Sequence, residues 1–459
     1  MNSGPSQTDR FVRQTDDIRS ILTSFLCCAF LSLFWIMRVM IPTFITTLIV
    51  GLSVTIASWG EHAKSSDDKR QLDPWKKGYL DIHHISTGRG NCTFMILPDG
   101  TTFMIDVGDL GDSDRFSQII MKARPNGSCT PAEWIARYVR HFSEPAGRDM
   151  IDYLLITHFD GDHIGTIDKT AKKQCDKSYL LTGVTHLANL IDIRKIIDRG
   201  YPTYDYPTLA RTYANKSFPN YLKYIVEREQ EGKCTEMFEV GSNSQIHPLY
   251  DQEHRYDVEI RNIAANDKIW NGSQVENHVP NIGLIPAAMY PSENNCSCVI
   301  TLRYGDFKYY TGGDILGESG NSPWYDVETP VGRVVGPTDV VVANHHAYKD
   351  GMNRNFISSV QPRIFIIPVW DYFHPHTETL RRLTDPDIYA ESREIYPVGI
   401  VSENLTQLGT AARRLQPSGH VVVRVYNGGK RYRVYVLDDS TEKYTVIYRS
   451  KLYRPKVAN

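Results

Sequence analysis

The stretch "DYLLITHFDGDHIG", Asp152 to Gly165, constrains the fold more than any other. An apolar run of strand length ends abruptly in a loop that holds His158, Asp160, Asp162 and His163. The same habit recurs along the chain. Asp106 follows "TTFMI", Asp314 follows "YYTGG", and His345 and His346 follow "VVVAN". His374 and His376 come soon after "FIIPVW". Strand ends on one edge of a sheet converge in space and sit on a rigid scaffold, which is how distant residues build one metal site.

The remaining texture agrees with many short strands. "LDIHHISTGRGNCTFMILPDGTTFMIDVGD" reads as strand, Gly-rich turn, strand, "PDG" turn, strand. "CVITLRYGDFKYYTGGD" reads as two strands around a Gly-Asp turn, with Cys296 and Cys298 two apart along the first. "HVVVRVYNGGKRYRVYVLD" is a hairpin with Asn-Gly at its turn. Helical texture follows Gly165, and "TETLRRL" is a short helix. Strands with interspersed helices predict an α/β sandwich over residues 78–440. Residues 168–290 are long for a connection inside a compact domain, so they read as an insertion overhanging the site. Within it "YPTYDYPTLARTY", Tyr201 to Tyr213, is either a base-stacking surface or a packed lid. Residues 60–77 read as a polar linker and 441–459 as a C-terminal tail.

The first 59 residues are a separate matter. Ile21 to Trp59 is almost uninterrupted apolar sequence, broken by Arg38 and Pro42. Two stretches, 21–37 and 39–59, are each close to the roughly 20 residues that one membrane span needs. They read as a membrane hairpin, as a single anchor, or, if translation starts at Met37 or Met40, as a secretory signal ending near Ala57. The expected location is therefore membrane-anchored or exported. Positive charges flank both sides, so orientation stays open.

Net charge is −2, and Lys and Arg are scattered, so charge announces no nucleic-acid face. The eight cysteines form no CxxC pair, which leaves a zinc ribbon unsupported. In an exported domain they permit disulfides.

The spacing in 158–163 carries chemistry. His158 and Asp160 lie two apart and can point the same way, while Gly161 lets the backbone fold tightly. Asp162 and His163 are adjacent, so they serve one metal or face a pair. Imidazole and carboxylate together suit Zn²⁺, Mn²⁺ or Fe. Asp106 reads as a structural hydrogen-bonding acid beside the site. His83 and His84 read as strand residues, and His186, His247, His254 and His278 as surface residues.

This series resembles the metallo-β-lactamase-fold hydrolases. Their H-x-H-x-D-H signature reads here His158-Phe-Asp160-Gly-Asp162-His163, with Asp in place of the second His. That variant is similar to the hydrolase domain of ComEC-type DNA-uptake proteins. "ISTGRGN", "PDGTTFMIDVG", "NCSCVI" with "YTGGD", "HHAY" and "FHPH" follow in the matching order from about 78 to 435. Departures are Asn91 for an acid, Gly165-Thr166 for Gly-Gly, no Gly-Ser after the His pair, and no His in Asn295-Cys296-Ser297.

The resemblance implies an αββα sandwich holding one or two divalent ions, Zn or Mn. His158 and Asp160 would serve the first position, which the departures weaken. Asp162, His163, Asp314 and one of His345 or His346 would serve the second, the other His contacting substrate. It implies hydrolysis of a phosphodiester, DNA among the candidates, by a metal-activated water that Asp162 orients. Asp314 would bridge, and His374 or His376 would protonate the leaving group or grip the phosphate. Other esters, lactones included, are the alternative within the fold. A decayed, membrane-tethered binding module is the alternative outside catalysis. The ComEC channel has no counterpart here, so the uptake role does not transfer.

Overall fold

Short apolar runs become strands here because both faces of each sheet are covered, so neighbours along a strand need not alternate with polar residues. The computed structural model describes residues 71–111, 121–167, 171–209, 217–251, 253, 255–318, 320 and 322–456. The early strands are β1 (Leu80–His84), β2 (Thr93–Ile96), β3 (Thr102–Ile105), β4 (Met150–Leu155), β5 (Lys172–Lys173), β6 (Leu180–Leu181), β7 (Asp192–Asp198) and β8 (Cys234–Met237). Then come β9 (Val258–Ala265), β10 (Lys268–Trp270), β11 (Val275–Asn277), β12 (Val299–Tyr304), β13 (Phe307–Thr311), β14 (Val340–Val342), β15 (Ile364–Pro368) and β16 (Glu394–Val398). The last are β17 (His420–Val425), β18 (Tyr432–Leu437) and β19 (Val446–Arg449).

Two large sheets result. One runs β19-β18-β17-β1-β2-β3-β4-β7-β8 and the other β11-β10-β9-β12-β13-β14-β15-β16. The pairings that matter for the site are parallel: Phe103 opposite Tyr153, Leu155 opposite Ile197, Tyr309 opposite Val340, and Val342 opposite Ile366. Parallel strands finish on the same edge, so β3 and β4 in one sheet, and β13, β14 and β15 in the other, deliver their following residues together.

Side chains alternate across each strand. Phe103 and Ile105 of β3 share a buried cluster with Ile300, Val340 and Ile364 of the other sheet. Met104, between them, packs outward with Ile135 and Val139 of the helix Pro131–Ser143. Val341 and Phe365 likewise face Phe356 and Leu380, from the helices Arg354–Val360 and Thr377–Thr384. The layers are helix, sheet, sheet, helix, as expected.

Several expectations change. The stretch 168–290 is not a simple insertion: β7 and β8 extend the first sheet, and β9 pairs with β12 in the second. The tail after 441 contributes β19 to the first sheet. The fold already begins inside the supposed linker, where Gln71 bridges Thr445 and Trp75 is buried. Cys296 ends a 3₁₀ turn and Cys298 precedes β12, so the two do not lie along that strand. His186 is buried, not on the surface. Tyr204, in the aromatic stretch, is packed against Phe159 and Phe218 and donates to Asp198 at 2.8 Å. The apolar run 21–59 lies outside the described residues. Among the described residues no helix is long and apolar enough to cross a membrane.

Candidate metal centre

The His158–His163 loop leaves β4 and turns into a single helical turn, Gly161–Ile164. Two glycines make room for it. A Cβ on Gly108 would sit 2.0 Å from the Asp162 carbonyl oxygen, and one on Gly90 2.4 Å from the same atom. The backbone contact they permit is direct: Asn91 N donates to Asp162 O at 2.7 Å and Val107 N to His163 O at 2.8 Å. The "TGRGN" and "DVGD" motifs are thus a cradle for the loop.

Four buried residues then converge. Asp162, His163, Asp314 and His346 each offer one ligand atom, and these atoms lie within 4.8 Å of one another. His346 Nε2 is 3.0 Å from Asp162 Oδ2 and 3.3 Å from Asp314 Oδ2. His163 Nε2 is 3.3 Å from Asp314 Oδ2 and 3.5 Å from Asp162 Oδ2. His158 stands beside them, its Nε2 3.9 Å from Asp314 Oδ2 and 3.6 Å from the Asp160 carboxylate. Asp160 is more exposed than the rest.

The tautomers are set from behind. Asp106 accepts from Thr157 N at 2.8 Å, Thr157 Oγ1 at 2.8 Å, Asn91 Nδ2 at 3.0 Å and His163 Nδ1 at 2.7 Å. A carboxylate only accepts, so His163 carries its proton on Nδ1 and turns Nε2 toward Asp314 and Asp162. Thr157 Oγ1 donates its one hydrogen bond to Asp106, so it accepts from His158 Nδ1 at 3.1 Å. His346 Nδ1 donates to the Pro368 carbonyl at 3.2 Å. All three imidazoles therefore present Nε2 to the acids. Asn91, which stands where the resemblance has an acid, is a donor to Asp106; an ionised acid there could not be.

Do these residues fit a divalent ion? His158 Nε2 and His163 Nε2 are buried with no hydrogen-bond partner. A buried polar atom left unpaired is costly unless something else takes its lone pair. Two carboxylates and two or three imidazoles are a donor set for Zn²⁺ or Mn²⁺. The residues fit.

Electrostatics say the same. Burial alone would raise Asp162 and Asp314, but the neighbouring charges of His163 and His346 hold both well below the usual carboxylate range. Burial alone would lower the two histidines, but Asp314 and Asp162 raise His163 well above its ordinary value and His346 to about 9. The metal-free centre at neutral pH is a set of ion pairs. A cation takes the place of those protons. Titration with Zn²⁺ at pH 7 is expected to release about two protons per site and to bind more tightly as pH rises toward 9. Calorimetry in buffers of different ionisation enthalpy gives the proton count; a count near zero would remove His163 and His346 as ligands.

The paired histidines separate. His345, His346 and Ala347 all have positive φ, at 45°, 53° and 56°. Such a conformation costs roughly 1–2 kcal/mol per residue that has a side chain. The turn aims His346 into the cluster and His345 away, where its Nδ1 meets Asp350 at 2.6 Å and its Nε2 meets Asn294 Nδ2 at 3.2 Å. Glu328 holds the turn. It is fully buried and accepts from Met352 N, Asn353 N at 2.6 Å and Asn344 Nδ2 at 2.8 Å. Burial pushes Glu328 up to about 7. A carboxyl that holds its proton more tightly when folded adds stability below its unfolded value, and that stability is lost as pH rises through the folded one. Metal-free protein should therefore lose about 3 kcal/mol of Glu328-dependent stability between pH 4.5 and pH 7. Denaturation at several pH values should show that component in the wild type and not in Glu328→Gln. Parallel pH curves would refute it.

His374 and His376 also part. His374 is buried, stacked on His346 with ring centres 4.8 Å apart and planes at 17°. Burial, then the charges of His346 and His345, hold it well below its ordinary value, so it is neutral. A neutral imidazole grips a phosphate oxygen through a hydrogen bond and not through charge. His376 caps the helix Thr377–Thr384, its Nδ1 accepting from Glu378 N at 3.4 Å. Its ring lies against Tyr348 and Phe373.

Sequence reading missed Thr157, Ser297 and Trp370. Ser297 Oγ accepts from Asp314 N at 3.1 Å and lies 3.3 Å from His158 Nδ1. Trp370 stands edge-on to His346 at 5.8 Å. Ser and Thr beside a ligand carry no signature of their own; adjacency to His158 was the available hint for Thr157.

Comparison with known proteins agrees with this geometry. The model of the metallo-beta-lactamase superfamily matches residues 85–174, which include the His158–His163 loop. Residues 85–174 thus resemble that superfamily, and the described strands and helices form a mixed α/β fold. No curated protein matches the chain. Among solved structures, a Parabacteroides distasonis protein described as a metal-dependent hydrolase is 12% identical, with 72% of this chain and 97% of that one covered and a TM-score of 0.32. The metallo-beta-lactamase-fold protein YhfI of Bacillus subtilis is 9% identical over 74% and 95%, with a TM-score of 0.31. Human tRNase Z, short form, is 11% identical over 62% and 91%, with a TM-score of 0.28. Likenesses of this size bear on no residue of the site.

Proposed function

We propose that this protein is a metal-dependent hydrolase acting on a phosphodiester. The observation that carries the reading is the buried quartet of Asp162, His163, Asp314 and His346, backed by hydrogen bonds at Nδ1 that turn the Nε2 atoms of both histidines toward the acids. These four would hold one divalent ion, and His158 with Asp160 would serve a second. When bound, the ion supplies Lewis acidity and lowers the pKa of a water.

The chain's own residues do the rest. Asp314 Oδ2 lies 3.3 Å from both His163 and His346 and 3.9 Å from His158, so it is the residue placed to serve both positions. Asp162 is kept ionised and accepts from whatever donor lies beside it. His374, neutral and stacked on His346, donates one hydrogen bond to a substrate oxygen. His345, paired with Asp350, is the second contact on that side.

The ComEC-like order of motifs supports a phosphodiester over a lactone, and the oxygen-rich donor set tilts the metal toward Mn²⁺, with Zn²⁺ as the other candidate. We also read residues 21–59 as placing the domain at a membrane, in keeping with their length and composition.

The test is direct. The purified full chain should contain divalent metal and cleave bis-p-nitrophenyl phosphate with added Mn²⁺ or Zn²⁺. Metal without cleavage of that ester, but with lactone opening, would replace the phosphodiester reading. Absence of both metal and hydrolysis would overturn it in favour of a binding module.

A further inference from the structure

An uncharged arm stands beside the centre. From Val279 to Ser292 the sequence "VPNIGLIPAAMYPS" holds no charged residue. Its middle is exposed: Leu284 shows 82% of its surface to solvent, and Ile282, Ile285 and Met289 are half-buried. A lone exposed Leu is ordinary, but four large apolar side chains on one short projection are not.

The arm is also ordered. Two 3₁₀ turns, Ile282–Leu284 and Ala287–Met289, shape its tip. Its base is pinned by aromatic residues: Trp324 Nε1 donates to Met289 O at 2.8 Å, and Tyr325 OH to Tyr290 O at 2.9 Å. His278 Nε2 donates to Trp324 O at 3.0 Å on the other side. An apolar tip above a Trp and Tyr base is the arrangement of segments that sit in the membrane interface. The arm then runs into the centre, since Glu293 accepts from Phe159 N at 2.9 Å and Asn294 meets His345.

We propose that residues 281–289 insert into the interfacial layer of a lipid bilayer. The inference rests on the membrane reading of residues 21–59 and not on the phosphodiesterase reading. Only eleven residues, 60–70, lie between Trp59 and Gln71 in the sequence, so the tether is short. The tether supplies proximity, and the uncharged tip supplies a surface with no desolvation penalty for charge. The arm by itself is too small for lasting attachment; two weak signals together give stable binding. The consequence is a centre presented to molecules in, or bound to, the membrane surface.

The test uses the full chain in phosphatidylcholine–phosphatidylglycerol vesicles. An NBD fluorophore is placed at Leu284→Cys, or at Leu405→Cys as an exposed control, with Cys27, Cys28, Cys129, Cys175 and Cys234 replaced by serine. Vesicle flotation reports the tether, and the fluorophore reports the arm, so the two fail separately. The expected result is quenching by shallow doxyl-lipid at least about threefold stronger at 284 than at 405, with iodide quenching reversed. A floating chain in which iodide reaches 284 as freely as 405 overturns the proposal. So does a blue shift without doxyl quenching, which would mean that a second copy covers the arm. A chain that does not float overturns it together with the tether.

Discussion

Asp162→Ala is expected to abolish hydrolysis while leaving the fold intact. The loss in kcat/KM should be on the order of 10³ or more, because the side chain is both a ligand and the partner of His346. Removing it leaves Asp314 as the one carboxylate beside the Nε2 atoms of His163 and His346. Metal content should fall with activity. The loop's backbone should not move, since it is held by Asn91 N and Val107 N and not by the carboxylate. Circular dichroism, metal analysis and kinetics on one preparation decide the matter. Full activity in this variant would sink the mechanism, and an unfolded variant would show that the carboxylate is structural first.

The second large effect is expected one shell back, at Asp106→Asn. Asp106 has φ 58°, a conformation that Asn tolerates, so the substitution keeps shape and backbone. What changes is the count of acceptors. Thr157 N points at one oxygen, and Asn91, Thr157 Oγ1 and His163 Nδ1 converge on the other. An amide has a single oxygen, so one orientation opposes its NH₂ to Thr157 N and the other to His163. Either way His163 loses the anion that fixes its Nδ1 proton. Metal affinity should fall about 10–100-fold, and activity at subsaturating metal with it, while excess metal restores much of the rate. Competition with a chelator gives the affinity. Unchanged affinity would mean that Asp106 only packs.

Some of this was legible in the chain and some was not, and particular residues show why. Each apolar run that ends in a turn residue did become a strand, from Leu80–His84 to Tyr432–Leu437, because burial on both faces demands such runs. The strands inside 168–290 were harder. "IDIRKIID" and "VEIRNIAA" mix charge with apolar residues, and their membership of the two sheets depends on partners far away in sequence, Leu155 for one and Tyr304 for the other. No local period reports a pairing of that range.

The centre divides in the same way. Residue type and spacing alone determined that acids and imidazoles gather at strand ends, because only a few side chains bind a divalent ion and strand length fixes where they stop. Which members of a pair take part was decided by tertiary structure. His345 and His346 are chemically identical neighbours, and three consecutive left-handed residues, anchored by buried Glu328, turn one inward and the other out. His374 and His376 differ by two positions, and it is the stacking on His346 and the capping of a helix that give them separate lives. A sequence names the atoms available to a site; direction, proton position and burial belong to the surroundings, and those come from residues hundreds of positions away.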